Sequence, residues 1–280
     1  MFEPQQYELI DFGGGRKLER FGTRLVDRPA PAADDSVPLL PAAWKEADLR
    51  YERKSATSGK WRPASVKTDW QVQHASIRFR LQPTPFGHVG LFPEQAANWD
   101  WIFQQSGRQP LKVLNLFACT GGSTLAAAAA GAAVTHVDAA RNVVHWARQN
   151  AALSGLADAT IRWIVEDARK YVKRELRRES HYDAVILDPP SYGHGPTGDV
   201  WKIGEHLLPL LADCARLVRH QPRFVLLTNH SPGFGPAELE AVLADTMFGS
   251  CQAGATARTM YVETSDGRRL ASGVAARWPG

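Results

Sequence analysis

The segment Asp188-Pro189-Pro190-Ser191-Tyr192 follows the apolar run Ala184-Val185-Ile186-Leu187. A buried strand would therefore deliver a carboxylate to its own carboxyl end. The two prolines fix the backbone and remove two N–H donors. Their carbonyls are left free to accept from a substrate amide or ring N–H. Tyr192 offers a flat face on which a base can stack. Asp188, Pro189, Pro190 and Tyr192 form the candidate catalytic set. The competing reading is a turn with no active-site role.

Three further strand ends supply ligand-binding chemistry. The first runs into Asn115-Leu116-Phe117-Ala118-Cys119-Thr120-Gly121-Gly122-Ser123. Paired glycines at a strand-to-helix turn let backbone approach a ligand. The helix N-terminus behind them offers N–H groups to a carboxylate. A plain helix-initiating turn is the alternative. The G-x-G-x-x-G dinucleotide pattern is not met, because Phe117 and Cys119 stand where glycines would be. The second strand ends in Asp138, placed to accept both hydroxyls of a ribose or to cap the next helix. The third ends in Glu166-Asp167-Ala168. Asp167 could accept from an adenine amino group or cap its helix.

These ends need strands and helices in strict alternation. Strands are expected at Lys112 to Phe117, Ala133 to Val137, Ile161 to Val165, Tyr182 to Leu187 and Phe224 to Thr228. Helices are expected at Gly122 to Ala130, Arg141 to Leu153, Ala168 to Arg178, Lys202 to Leu217 and Pro236 to Met247. In the second of these helices Val144, Ala147, Ala151 and Ala152 are the expected core positions. Repeated alternation implies a parallel sheet covered on both faces. Thr259 to Glu263 and Ser272 to Trp278 flank Ser265-Asp266-Gly267, a hairpin signal. An antiparallel hairpin closing a parallel sheet is the methyltransferase variant of the doubly wound fold. The fold class expected is therefore α/β, with a doubly wound, mostly parallel, seven-stranded sheet.

Residues 1–85 read differently. Tyr7 to Ile10, Phe21 to Val26 and the alternating run Val72 to Leu81 suggest a small β-rich appendage. The Pro/Ala-rich stretch Arg28 to Pro41 suggests a linker or extended arm. Residues 1–85 are expected to form a substrate-binding region and residues 86–280 the catalytic domain.

Composition excludes some classes. With 44% hydrophobic and 22% charged residues, the chain is typical of a soluble globular protein. Cys119, Cys214 and Cys251 are widely spaced, with no zinc-ligand pattern, so no metal is expected. Neither a leader nor a membrane span is expected, and a cytoplasmic location is. The net charge of +4 favours a polyanionic partner. Two basic groupings could meet RNA phosphates. One is Arg169, Lys170, Lys173, Arg174, Arg177 and Arg178. The other is Arg50, Arg53, Lys54, Lys60, Trp61, Arg62 and Lys67. A merely solvated face is the alternative for each.

From about Val89 to Trp278 the chain resembles bacterial ribosomal RNA large-subunit methyltransferases of the 5-methylcytosine and 7-methylguanine type. The marks are Gly90-Leu91-Phe92, Gln95, Asn98, the run Asn115 to Gly122, Asp138, Asp167 and Asp188-Pro189-Pro190-Ser191-Tyr192. In that family these positions surround S-adenosylmethionine. The resemblance thus implies a cofactor set of Phe92, Gln95, Asn98, Asn115, Phe117, Ala118, Thr120, Gly121, Gly122, Asp138, Ala139, Asp167, Ala168 and Asp188. It also implies a ribosomal RNA partner. The cytosine-C5 members use a cysteine after the fifth strand, where this chain has Thr228-Asn229-His230-Ser231-Pro232-Gly233-Phe234. His230 stands near the cysteine's place, which points away from cytosine C5. A methyltransferase for a protein or small molecule, and a non-catalytic cofactor-binding RNA-binding protein, are the rival functions.

Overall fold

The computed structural model describes residues 1–55, 58–64, 70–107, 109–195, 198–219, 221–231, 233–249 and 254–279. Lys67, Pro232 and Cys251 lie outside the described residues. The chain divides into two compact units, Met1–Ala97 with Tyr261–Ser272, and Asn98–Met260 with Gly273–Gly280.

The first unit is built on a five-stranded sheet of β1 (Tyr7–Gly13), β2 (Arg16–Phe21), β3 (Arg24–Pro29), β4 (Leu49–Ser55) and β5 (Ser58–Arg62), in that order. β3 and β4 run parallel. Parallel neighbours need a long crossover, and the Pro/Ala-rich stretch is part of it rather than a free arm. The buried Asp11 carboxylate fastens that crossover. It accepts from Leu39 N (3.2 Å), Leu40 N (2.8 Å), Trp44 Nε1 (2.8 Å) and an Arg268 guanidinium nitrogen (2.7 Å). Burial works to raise its pKa, but the bonds from Trp44, Arg268 and the two amides prevail and hold it at about 2.

The run Val72 to Leu81, expected as one strand, is a hairpin of β6 (Gln71–His74) and β7 (Ile77–Arg80). Ala75, at φ +49°, makes the turn. Register pairs Val72 with Phe79 and His74 with Ile77, and all four are buried. A two-residue turn moves the buried face from even to odd positions, which is the parity change visible in the sequence.

The second unit carries α1 (Ala96–Ser106) from Asn98 onward and most of a seven-stranded sheet. Its strands are β8 (Lys112–Leu116), β9 (Ala133–Asp138), β10 (Ile161–Val165), β11 (Ala184–Leu187), β14 (Phe224–Asn229), β15 (Thr256–Glu263) and β16 (Arg269–Trp278). A short antiparallel ribbon, β12 (Tyr192–His194) and β13 (Val200–Lys202), lies between β11 and the next helix. The sheet order is β10-β9-β8-β11-β14-β16-β15. All pairs from β10 to β14 are parallel, and β16 runs antiparallel to β14. The helices are α2 (Gly122–Ala129), α3 (Arg141–Leu153), α4 (Ala168–Arg177), α5 (Ile203–Leu217) and α6 (Pro236–Phe248). One face of the sheet packs on α4, α5 and α6 through Leu114, Leu116, Val185, Leu187, Val225 and Leu227. In α3, Val144, Ala147 and Ala151 are buried with Trp146, but Ala152 is exposed. It lies one helical step beyond the buried stripe.

Strand order reverses between β8 and β11. In doubly wound sheets ligands bind beyond the carboxyl ends of the strands at that reversal.

Candidate active site

Beyond β8 the chain takes three left-handed turns, at Phe117 (φ +55°), Cys119 (φ +49°) and Gly121 (φ +94°). Two of these are not glycine, so the loop is held in a sparsely populated conformation, a pattern common at ligand sites. Ala118 N donates to Val137 O, and Asn150 Nδ2 donates to Thr120 O. Gly121 caps α2. A Cβ on Gly122 would meet the Trp99 ring at 2.5 Å, so α2 starts flush against that indole. Asn115 is buried and spends its amide on Thr124 Oγ1 (2.9 Å), bracing the first turns of α2 from within.

Asp138 closes the loop from β9. Its carboxylate accepts from Cys119 N and Ala140 N, each at 2.9 Å, and from Ala139 N. Burial raises its pKa, and the three amides pull it only part of the way back. Partly accessible, it keeps lone pairs free for further donors. Cys119 lies beside it. Burial and then the Asp138 charge push its thiol up to about 12, so it is no nucleophile near neutral pH.

Asp167 is the N-cap of α4. Oδ1 accepts from Arg169 N (2.9 Å) and Lys170 N (3.2 Å), while Oδ2 pairs with the Arg169 guanidinium (3.2 Å). The capping alternative is therefore what the carboxylate does here. Ala168 opens the helix and is buried.

Asp188 ends β11 at the reversal point. Its Oδ1 accepts from Thr228 Oγ1 (2.6 Å) and lies 3.6 Å from His230 Nε2. β11 and β14 are parallel neighbours with Leu187 opposite Leu227, which sets these three side chains together. Pro189 is buried. The Pro190 carbonyl, expected to face substrate, instead accepts from Trp201 Nε1 (2.6 Å). Ser191 Oγ and Ser231 Oγ are 2.6 Å apart, joining the two loops. Tyr192 is 56% exposed, enough to present a stacking face.

The remaining candidates have structural partners. Phe92 stands before the turn Pro93–Gln95 with its ring 5.5 Å from that of His88, and Gln95 is buried. Asn98 is buried, accepts from Arg277 Nε (3.0 Å) and donates to Met260 Sδ (3.3 Å). Of the basic face on α4, Arg169 pairs with Asp167, Lys170 with Asp199, Arg174 with Glu166 and Arg178 with Glu175. Lys173 and Arg177 are exposed and pair with no carboxylate among the described residues.

Three residues were not singled out from the sequence for the parts they play. Thr228 orients Asp188. Trp201 occupies the Pro190 carbonyl and packs on Phe117, with ring centroids 4.7 Å apart. Gly273, at φ +99°, makes room for His230: a Cβ there would lie 2.7 Å from its Nδ1. Only the hydroxyl at a strand end left a trace in the sequence, since the other two depend on tertiary approach. Among the described residues, no group of three or more His, Cys, Asp or Glu could hold a metal. None of the described helices is long and apolar enough to cross a membrane.

Comparison with known proteins agrees with this architecture. A crystal structure of an S-adenosylmethionine-dependent methyltransferase from Agrobacterium tumefaciens is 36% identical. It superposes with a TM-score of 0.90 over 98% of this chain and 91% of that one. Ribosomal RNA large subunit methyltransferase K/L of Shewanella frigidimarina is 27% identical over 58% of this chain. The Syntrophotalea carbinolica protein of the same name is 30% identical over 51% of it. The matched stretches are 23% and 20% of those two proteins, so the chain spans only a fraction of their length. Residues 6–222 match the family model of the S-adenosylmethionine-dependent methyltransferases. With its seven-stranded sheet and the loop and carboxylates at its strand ends, this chain belongs to the S-adenosylmethionine-dependent methyltransferase family.

Proposed function

We propose that this methyltransferase works in the cytoplasm and modifies a base of ribosomal RNA. The observation that carries the reading is the Asp188, Thr228 and His230 cluster beside exposed Tyr192 at the sheet's reversal point. The names of the K/L relatives and the basic balance of the chain support an RNA acceptor.

The cofactor's residues fit their task. Asp138 is a half-buried carboxylate that pairs with no cation among the described residues and has acceptor capacity to spare, which suits two ribose hydroxyls. The N-terminus of α2, behind Gly121 and Gly122, suits an amino-acid carboxylate. Phe92, Gln95, Asn98, Asn115, Phe117, Ala118, Thr120, Ala139, Asp167 and Ala168 complete the proposed set, several of them by bracing the loop. Bound S-adenosylmethionine supplies an electrophilic methyl on a sulfonium that is already a good leaving group. The protein's work is alignment and exclusion of water. Asp188 and the Pro189 carbonyl orient the acceptor, and Tyr192 stacks on it. Neither cysteine among the described residues suits covalent activation of the acceptor: Cys119 is held as a neutral thiol, and burial raises Cys214 as well. Cytosine C5 is therefore disfavoured.

Asp138→Ala is expected to weaken S-adenosylhomocysteine binding by about 10- to 100-fold in titration calorimetry, the worth of a charge-assisted hydrogen bond. Unchanged affinity removes Asp138 from the cofactor set. The substrate assignment is tested by nucleoside mass spectrometry of ribosomal RNA from cells with and without the gene. A methylated base missing in the second sample supports it. Identical profiles reject it and favour a protein or small-molecule acceptor.

A further inference from the structure

The β12–β13 ribbon follows directly on the Asp-Pro-Pro-Ser turn. Register pairs Tyr192 with Lys202, Gly193 with Trp201 and His194 with Val200. Alternation therefore divides it into two faces. Trp201 points inward and is buried, while Tyr192, His194, Val200 and Lys202 point outward and are all exposed. Tyr192 and His194 meet edge to face, with ring centroids 5.2 Å apart at 89°. A tyrosine and a valine left in solvent on a three-residue ribbon gain nothing for folding.

The ribbon is nevertheless firmly tied down from its other side. Trp201 donates to the Pro190 carbonyl and packs on Phe117. The Arg169 guanidinium donates to Val200 O (3.1 Å), and Lys170 pairs with Asp199 (2.6 Å). A rigid, outward-facing aromatic surface has already met the ordering cost of binding. None of the four outward side chains is acidic. Lys202 is held only by an exposed pair with Glu205, which is weak and readily exchanged. Exposed Lys173 and Arg177 sit on α4, the helix to which the ribbon is fastened.

We propose that this outward face is the platform for the nucleotide adjoining the methylated base in single-stranded RNA. Its base stacks on His194 and Val200 beside Tyr192, and its phosphate meets Lys202. The inference rests on the RNA reading above and goes beyond it in naming the surface and the strand state. Rings can stack on a side chain only where bases are not already paired and stacked.

The test uses the full chain and a single-stranded 12-nucleotide RNA containing 5-bromouridine. Wild-type protein is expected to photocrosslink within residues 192–202. The variant His194→Ala with Val200→Ala is expected to bind this RNA about tenfold more weakly by anisotropy. Its salt slope should be unchanged, because no phosphate contact is removed. S-adenosylhomocysteine affinity reports that the variant is folded, and if it drops, the wild-type crosslink alone decides. RNA binding that is equal in the variant, with crosslinks elsewhere, overturns the platform and leaves the RNA reading standing. Wild-type protein that binds no RNA at any salt concentration overturns both.

Discussion

Asp188→Ala is expected to lower methyl transfer into RNA from gene-deleted cells by about 10²- to 10⁴-fold, the usual worth of a group that positions or deprotonates the acceptor. S-adenosylhomocysteine binding should fall much less than turnover, because Asp138 and the α2 N-terminus remain. The Thr228 hydroxyl donates to Asp188 Oδ1 at 2.6 Å. That bond fixes the carboxylate and uses one lone pair of Oδ1. The side chain is 35% accessible, so the carboxylate remains open to the site. Thr228→Val, which removes the hydroxyl and keeps the shape, should cost about tenfold through misorientation alone. Asp188→Asn separates charge from geometry. If the carboxylate's charge steadies a proton leaving the acceptor, Asn fails nearly as badly as Ala. If it acts only as an acceptor, Asn retains measurable turnover. Full activity in Asp188→Ala would remove this residue from the reaction.

The sheet was legible because each parallel strand is a short apolar run bounded by polar turns, and because α3, α4 and α5 each carry a clear apolar stripe. Ile161–Val165 and Arg141–Leu153 lie where periodicity places them. So does the closing antiparallel hairpin, marked by Asp266-Gly267. Elements without a strong local signature were missed. α1, with Trp99, Asp100, Trp101 and Gln104 in close succession, is one of these. The β12–β13 ribbon is two three-residue strands, too short for alternation to show. In the site, strand-end chemistry could be read wherever one residue suffices, as with Asp138 and Asp188. Choices between two uses of the same group could not. Asp167 caps α4 through two amides and pairs with Arg169, and the sequence does not show how much of the carboxylate those contacts use. The Pro190 carbonyl is lost to Trp201, whose approach depends on how the ribbon folds back.

Acid should loosen the cofactor loop before it unfolds the carboxylate clamps, and His136 is the reason. It lies on β9 between Asn115 of β8 and Trp163 of β10. Asn115 Nδ2 donates to Thr124 Oγ1, so the hydroxyl can give its own hydrogen to His136 Nδ1 (2.9 Å). This direction of donation leaves the imidazole proton on Nε2, which is buried near the Trp163 ring with no hydrogen-bond partner among the described residues. A second proton on the ring would oppose the Thr124 hydroxyl. Burial, and then the Arg148 charge, depress the His136 pKa from 6.5 to about 3. The folded state therefore refuses a proton that the unfolded chain accepts between those two values. Stability is full above pH 6.5 and falls as pH drops through the window, by about 1.4 kcal/mol per pH unit once below 6.5. Asp11 and Glu19, held at about 2, begin to cost stability only as pH falls into the ordinary carboxylate range, at the acid end of this window. Urea unfolding between pH 7 and 4.5 should thus show a slope that His136→Phe reduces by about that amount. Because Thr124 lies in the first turn of α2, S-adenosylhomocysteine affinity of the wild type should weaken over the same window. A variant with the wild-type slope would show that the imidazole takes up its proton without cost.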